Sequence, residues 1–241
     1  NNFLNADDVL SVTVTFRGSV IVDNASGTPT LTLVVGTTNP KATYTSGSGG
    51  TTMVFQYTIQ SGETDDNGIS IGANVLALDN GTISDPAGNN ATLTHSAVSD
   101  NSSYKVDTTP PTVSSVAITS ATGIQNNLLN AGDNVSVTVT FSENVPVTGT
   151  PQLTLAVGDD NQTATYTSGS ESTTLVFKYT IQAGDNDTNG ISIRANALAL
   201  DNGTISDPAG NNATLTHSAV SDNNSYMVDT TVPTVNEFTL S

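Results

Sequence analysis

The sequence predicts an all-β chain, read as tandem immunoglobulin-like antiparallel β-sandwiches joined by short Pro-containing linkers. Three observations carry this. Apolar residues alternate with Thr and Ser at a period of two in almost every apolar run. Gly, Asn, Asp and Pro cut the chain into runs of strand length. The whole pattern occurs twice. No segment carries a helical stripe.

The elements follow in order. Leu10, Val12, Val14 and Phe16 face one way, with Ser11, Thr13 and Thr15 opposite, and Val135, Val137, Val139 and Phe141 repeat them. Met53, Phe55, Tyr57 and Ile59 mark a long strand, echoed by Leu175, Phe177, Tyr179 and Ile181. Leu153, Leu155 and Val157 form another, and Ala164 with Tyr166 a shorter one. Short strands are expected at Ile191/Ile193, Leu198/Leu200, Leu215 and Tyr226/Val228. About seven short strands in roughly 120 residues is the density of an immunoglobulin-like sandwich.

The repeat is explicit. Asp79 to Asp100 matches Asp201 to Asp222 at every position. The opening Asn1-Asn2-Phe3-Leu4-Asn5-Ala6-Asp7-Asp8 matches Asn126 to Asp133, an offset of 133 − 8 = 125. From Pro29 and Pro151 onward the offset is 151 − 29 = 122, so the first copy carries three extra residues around Val22–Ser26. The expected segments are 1–107, 108–229 and 230–241, the last opening a third copy. The strand-like run Val113–Thr119 has no counterpart in the first copy, whereas the tail Val235–Ser241 resembles it. A fragment cut out of phase from a longer array would look like this. So would a chain that donates its tail as a strand to a neighbour.

Between copies runs Val106-Asp107-Thr108-Thr109-Pro110-Pro111-Thr112-Val113, returning as Val228-Asp229-Thr230-Thr231-Val232-Pro233-Thr234-Val235. Proline fixes φ and removes a backbone donor, so a stiff extended joint is expected. Asp107 and Asp229 stand at its entrances.

The balance of charge narrows the function classes. Among 241 residues, Lys+Arg number 5 and Asp+Glu 22, a net charge of −17. Such a chain repels phosphate backbones and anionic lipid, which argues against nucleic-acid and membrane-surface binding. With no cysteine there are no disulfides or thiolate metal sites. No apolar run approaches 18 residues, so a soluble chain without membrane insertion is expected.

Three constellations could hold a hard divalent cation, which takes six to eight oxygen ligands at flexible geometry. The first is the loop Asp79–Asn90 with Asp79 and Asp85, copied as Asp201 and Asp207. The second is the acidic turn with Glu63 and Asp65, copied as Asp185 and Asp187. Asx turns account for both equally well. The third is the joint, where strand direction brings Asp7, Asp8, Asp107 and Glu143 toward one place, with Asp133 and Asp229 doing the same at the next joint. Arg17 stands where the second copy has Glu143, which argues against a matching site at the start of the first. Calcium is the expected cofactor. His95 and His217 read as strand-surface histidines. No nucleophile elbow, phosphate loop or zinc helix occurs, so no enzyme is expected. The changes of Lys41 to Thr163, Lys105 to Met227 and Gln56 to Lys178 between copies argue against a repeated isopeptide crosslink.

Val-Ser-Val-Thr-Val-Thr-Phe-Ser-Glu (135–143), Gly-Thr-Pro-Gln-Leu-Thr-Leu (149–155), Asn-Gly-Ile-Ser-Ile (189–193), Ser-Asp-Pro-Ala-Gly-Asn (206–211) and Val-Asp-Thr-Thr-Pro-Pro (106–111) resemble the bacterial immunoglobulin-like extender repeats of giant RTX-type surface adhesins. Those of marine ice-binding adhesins are the most similar type. The resemblance implies β-sandwiches that bind calcium, at linkers among other places, and that project ligand-binding domains from the cell. The expected function is therefore a calcium-stiffened spacer, extracellular and on the bacterial surface, monomeric as a fragment and partnered by neighbouring repeats of its own chain. The alternative is a self-assembling extracellular filament subunit joined by the donated tail.

Overall fold

The computed structural model describes residues 2–240. Asn1 and Ser241, the outer limits of the first and third expected segments, lie outside the described residues. The fold is all-β, with 21 short strands and no helix among the described residues. It divides into two compact units: Asn1–Thr109 with Ala209–Asn211, and Pro110–Pro208 with Asn212–Ser241.

The first unit holds β1 (Phe3–Leu4), β2 (Val9–Thr15), β3 (Ile21–Asp23), β4 (Thr30–Thr32), β5 (Lys41–Ser46), β6 (Thr52–Thr58), β7 (Thr64–Asp65), β8 (Leu76–Ala77), β9 (Thr82–Ser84) and β10 (Lys105–Asp107). Its largest sheet has the order β2-β6-β5-β4-β8, beside β1-β10-β7 and the pair β3-β9. β2 and β6 pair antiparallel from Val9↔Thr58 to Thr15↔Thr52. Because strand side chains alternate between faces, this register sends Leu10, Met53 and Phe55 to one side and the threonines to the other. Leu31, Leu33, Ala42, Met53, Phe55, Ile83 and Val106 close one apolar cluster, drawn from all three sheets. Tyr44 stands edge-on to Phe55, centroids 5.9 Å apart, the favoured geometry for aromatic quadrupoles.

The second unit repeats this plan and adds a strand. It holds β11 (Val113–Thr122), β12 (Leu128–Leu129), β13 (Asn134–Val145), β14 (Val147–Thr148), β15 (Gln152–Val157), β16 (Asp160–Ser168), β17 (Ser172–Thr180), β18 (Asn186–Asp187), β19 (Leu198–Ala199), β20 (Thr204–Ile205) and β21 (Met227–Asp229). Its main sheet runs β11-β13-β17-β16-β15-β19. The extra strand, β11, pairs antiparallel with β13 from Val113↔Phe141 to Thr122↔Asn134. Val135, Val137, Val139, Leu175 and Phe177 are fully buried beneath it and its neighbours.

Three expected strands do not form. Ile191 and Ile193 are buried, yet their segment makes only the isolated bridges Ala156↔Ser192 and Ile193↔Val220. Leu215 packs on the core from a segment with no ladder. In both places burial of the side chain, not pairing of the backbone, produced the apolar signal. The tail Val235–Leu240 has strand-like alternation but joins no ladder.

Because Phe177 fills the centre of the second cluster, Phe177→Ala should destabilise that unit by about 3–5 kcal/mol. Urea unfolding followed by tyrosine fluorescence checks this, and a loss well below that range would mean a looser core.

Candidate functional site

A chain this poor in lysine and arginine must stabilise its buried carboxylates by other means. Glu63 and Asp65 are 8% and 4% exposed, and Asp185 and Asp187 6% and 3%. Asp65 accepts from Gly68 N at 2.7 Å through Oδ1 and from Gly36 N at 2.8 Å through Oδ2. Asp187 repeats this with Gly190 N at 2.7 Å and Gly158 N at 2.8 Å. A buried ion surrounded by N–H donors keeps its charge at tolerable cost. The clamp also needs glycine: Gly158 has φ +59, and a Cβ there would meet Asn186 O at 2.2 Å.

Glu63 and Asp185 use a different set of donors. Glu63 Oε1 accepts from Tyr57 Oη at 2.8 Å, and its Oε2 from Gln60 N at 2.9 Å. Asp185 Oδ2 accepts from Tyr179 Oη at 2.5 Å and Gln182 N at 2.8 Å, while Oδ1 takes Gln162 Nε2 at 3.0 Å. Thr108 Oγ1 donates to Glu63 O and accepts from Gly62 N, both at 2.9 Å, and Thr230 does the same for Asp185 O and Gly184 N. This turn is therefore held by a tyrosine six residues before the acid and a threonine one residue past Asp107 or Asp229. Neither stands out in one copy. Their recurrence at matching positions in both copies is the signal that could have revealed them. Burial first, then the Glu63 hydrogen bond, pushes the Tyr57 phenol up to about 12. The same causes, with Asp185 as partner, push Tyr179 up as well.

The long loop is satisfied mainly from within. Asp85 Oδ1 accepts from Ala87 N at 2.9 Å and Asn89 N at 2.8 Å, and Oδ2 from Asn89 Nδ2 at 2.7 Å. Asn89 is the chief reason its carboxyl lies below the usual range. Asp79 accepts from Thr30 Oγ1 and from Lys41 Nζ, the latter at 3.1 Å, and these lower its pKa in that order. In the second copy Gln152 Nε2 takes Asp201 Oδ2 at 2.6 Å. His95 and His217 are not on strands. Each ring joins two stretches of loop: His95 Nε2 accepts from Val75 N at 3.0 Å and Nδ1 meets Ser96 O at 2.8 Å, with Ala197 and Ser218 as the partners of His217.

At the turns and joints, four acids act on their own backbone. Asp8 Oδ2 accepts from Asn5 N at 3.0 Å and Asp133 Oδ2 from Asn130 N at 2.9 Å. Asp107 Oδ1 accepts from Thr109 N at 3.0 Å and Asp229 Oδ1 from Thr231 N at 2.9 Å. The last two, which bond two residues on, are Asx turns, whereas Asp8 and Asp133 reach back three residues. Asp7 sits at φ +72, where the second copy has Gly132. Among the described residues, Asp7 and Asp8 belong to no group of three acids whose oxygens lie within 4.8 Å of one another.

One pair in the second unit does converge. Glu143, on β13, and Asp207, just after β20, bring carboxylate oxygens within 4.8 Å. The sequence had assigned them to different constellations. The β14–β20 ladder, Val147↔Ile205, and the Ser206 N to Pro146 O bond carry the loop to the end of β13. Thr112 N donates to Ser142 Oγ at 3.0 Å, and Ser142 N to Thr112 O at 2.8 Å, so the segment following Pro110-Pro111 is paired with the residue beside Glu143. Asp207 is only 2% exposed. Two carboxylates this close repel unless a cation or hydrogen-bond donors stand between or around them. In the first copy the Glu143 position falls on Gly18, since 143 − 125 = 18, and Arg17 matches Ser142. That correction leaves the first copy without the second carboxylate of the pair.

No family model and no curated protein matches this chain. Among the described residues, no helix is long and apolar enough to cross a membrane.

The raised Tyr57 phenol carries a sign for stability. The folded state keeps a proton that the unfolded chain loses near pH 10. The stabilisation is therefore complete below pH 10 and is lost as pH rises toward about 12. Tyr57→Phe should flatten this alkaline decline, measured as denaturant midpoints between pH 9 and 12. An unchanged slope would remove the Tyr57–Glu63 bond from the account.

Proposed function

We propose that this chain is a structural spacer: tandem immunoglobulin-like β-sandwiches joined by Pro-containing linkers and stiffened by calcium, from an extracellular bacterial surface adhesin. Its role is mechanical, holding ligand-binding domains away from a cell. The observation that carries the reading is the Glu143–Asp207 pair at the entry of the second unit. Hard oxygen donors of this kind suit calcium, which accepts irregular geometry and completes its shell with carbonyls and water.

A cation held by Glu143 and Asp207 would favour the folded state by mass action, by about 2.7 kcal/mol when free calcium stands a hundredfold above its dissociation constant. The repeated sequence, the resemblance of its motifs to adhesin extender repeats and the acidic balance support the same reading. The proposed cation ligands are Glu143 and Asp207.

Thermal melting and small-angle scattering with millimolar calcium, and again with excess chelator, test this. Calcium should raise the melting midpoint and narrow the distribution of interparticle-free maximum dimension. The double variant Glu143→Gln/Asp207→Asn should lose most of both responses while melting normally in chelator. If wild type melts and scatters identically in calcium and chelator, the spacer mechanism fails.

A further inference from the structure

The two ends of the second unit are held unequally. Its first strand, β11, pairs with β13 along its whole length, from Val113↔Phe141 to Thr122↔Asn134, and packs Val113, Val116 and Ile118 on the core. Its last strand, β21, meets β12 over two residues and β18 over two, with Leu129↔Val228 and Asp187↔Val228 among the pairs. Before β21, residues 212–226 form no strand. That segment reaches the rest of the unit through single bridges: Asn212 to Ser206, Thr214 to Thr112 and Val220 to Ile193. His217 adds one attachment more, donating through N to Asn196 Oδ1 at 3.0 Å and accepting at Nε2 from Ala197 N at 2.9 Å. Residues 212–229 are thus a strap laid across the sheet β11-β13-β17-β16-β15-β19, which has all its ladders without them. Val228 is the strap's one fully buried side chain. Val135, Val137, Leu153, Leu175 and Phe177 all lie in strands outside it.

Strand direction decides how tension meets these attachments. β11 starts at Val113, opposite Phe141, and ends at Thr122, opposite Asn134 where β13 begins. Leu129, just before that start, is paired with Val228. The chain therefore enters and leaves this unit at opposite ends of β11, about 30 Å apart for a strand of ten residues. A pull on the two ends runs along β11 and loads its whole ladder in shear. At the other end the same pull meets a ladder of two residues, and behind it the bridges of the strap stand in series. Each hydrogen bond contributes little by itself, so bonds that open in turn resist less than bonds that must open together. Segments with few buried side chains and little ladder pairing are also those that open locally while the rest of a domain stays folded.

We propose that residues 212–229 are a tension-yielding strap, which comes off the second unit first and lengthens the chain while the six-stranded sheet holds. Release frees 229 − 211 = 18 residues, an extension of about 60 Å. The first unit builds the counterpart, 90–107, in the same way: β10 pairs over two residues with β1 and with β7, and Val98 bridges Ile71. The inference bears on the mechanical role proposed above, but it stands on the ladders alone and does not involve calcium.

The chain has no cysteine, so Thr109→Cys and Val232→Cys, both at exposed positions, supply two unique attachment points. Single-molecule pulling of the full chain between them, in chelator, puts the second unit under load. Extension should come in two steps, the first of about 60 Å and the second longer. Val228→Ala should lower the force of the first step and leave the second, and Ile118→Ala, on β11, should do the reverse. Without load, the amides of Val220, Tyr226 and Met227 should exchange hydrogen at least about tenfold faster than those of Val137 and Phe177. A single step that opens the whole unit overturns the proposal. So does a first step that Val228→Ala leaves unchanged, or strap amides that exchange no faster than those of the sheet.

Discussion

Negative charge without matching cations is the constraint this structure is built around. With 22 acids and 5 bases, side-chain ion pairs cannot stabilise most of the carboxylates. Burying an unpartnered carboxylate would cost more than a small domain can bear. The fold meets the problem with backbone N–H groups, aimed by tight turns, and with tyrosine hydroxyls. Asp65 and Asp187 tie Gly36 and Gly158 to the turns that end in Gly68 and Gly190. Each such carboxylate links segments about 30 residues apart in sequence, doing for a cysteine-free chain part of what crosslinks do elsewhere.

These clamps matter because the core is modest. Each unit closes over one cluster of aliphatic residues with a single fully buried phenylalanine, Phe55 or Phe177. Many connecting segments lack ladder pairing, including those around Ile191, Leu215 and His217. Charge-assisted hydrogen bonds to buried carboxylates, and the imidazole contacts of His95 and His217, order loops that the apolar core does not reach. The joint acids follow the same habit: Asp107 and Asp229 each cap the residue two places on. Glu143 and Asp207 differ in kind, being two carboxylates drawn to one place. A cation there would extend the same solution to carboxylates that meet one another.

The period-two alternation made β2, β6, β13 and β17 legible, since each buries one face and wets the other. The repeat was legible for the same reason that the clamps were not: it lies along the chain, whereas hydrogen-bond partners depend on register between distant strands. Nothing local to Glu143 announces Asp207. The pairing of Val147 with Ile205 and the Ser206 N to Pro146 O bond join them. Tyr57 and Tyr179 read as core aromatics on alternating faces, and their hydroxyl ends became visible only with the acids they serve. His95 and Leu215 misled in the other direction, because a side chain packed from a loop leaves the same trace as one on a strand. The tail carried a strand pattern without a strand, since alternation states a preference that only a neighbouring edge can satisfy.

Calorimetric titration of calcium into the chelator-stripped chain is the most direct test of the central claim. The account predicts saturable binding that Asp207→Asn, with its near-identical shape, weakens at least tenfold, a change of about 1.4 kcal/mol. Absence of binding in the wild type, or equal affinity in wild type and variant, would contradict it.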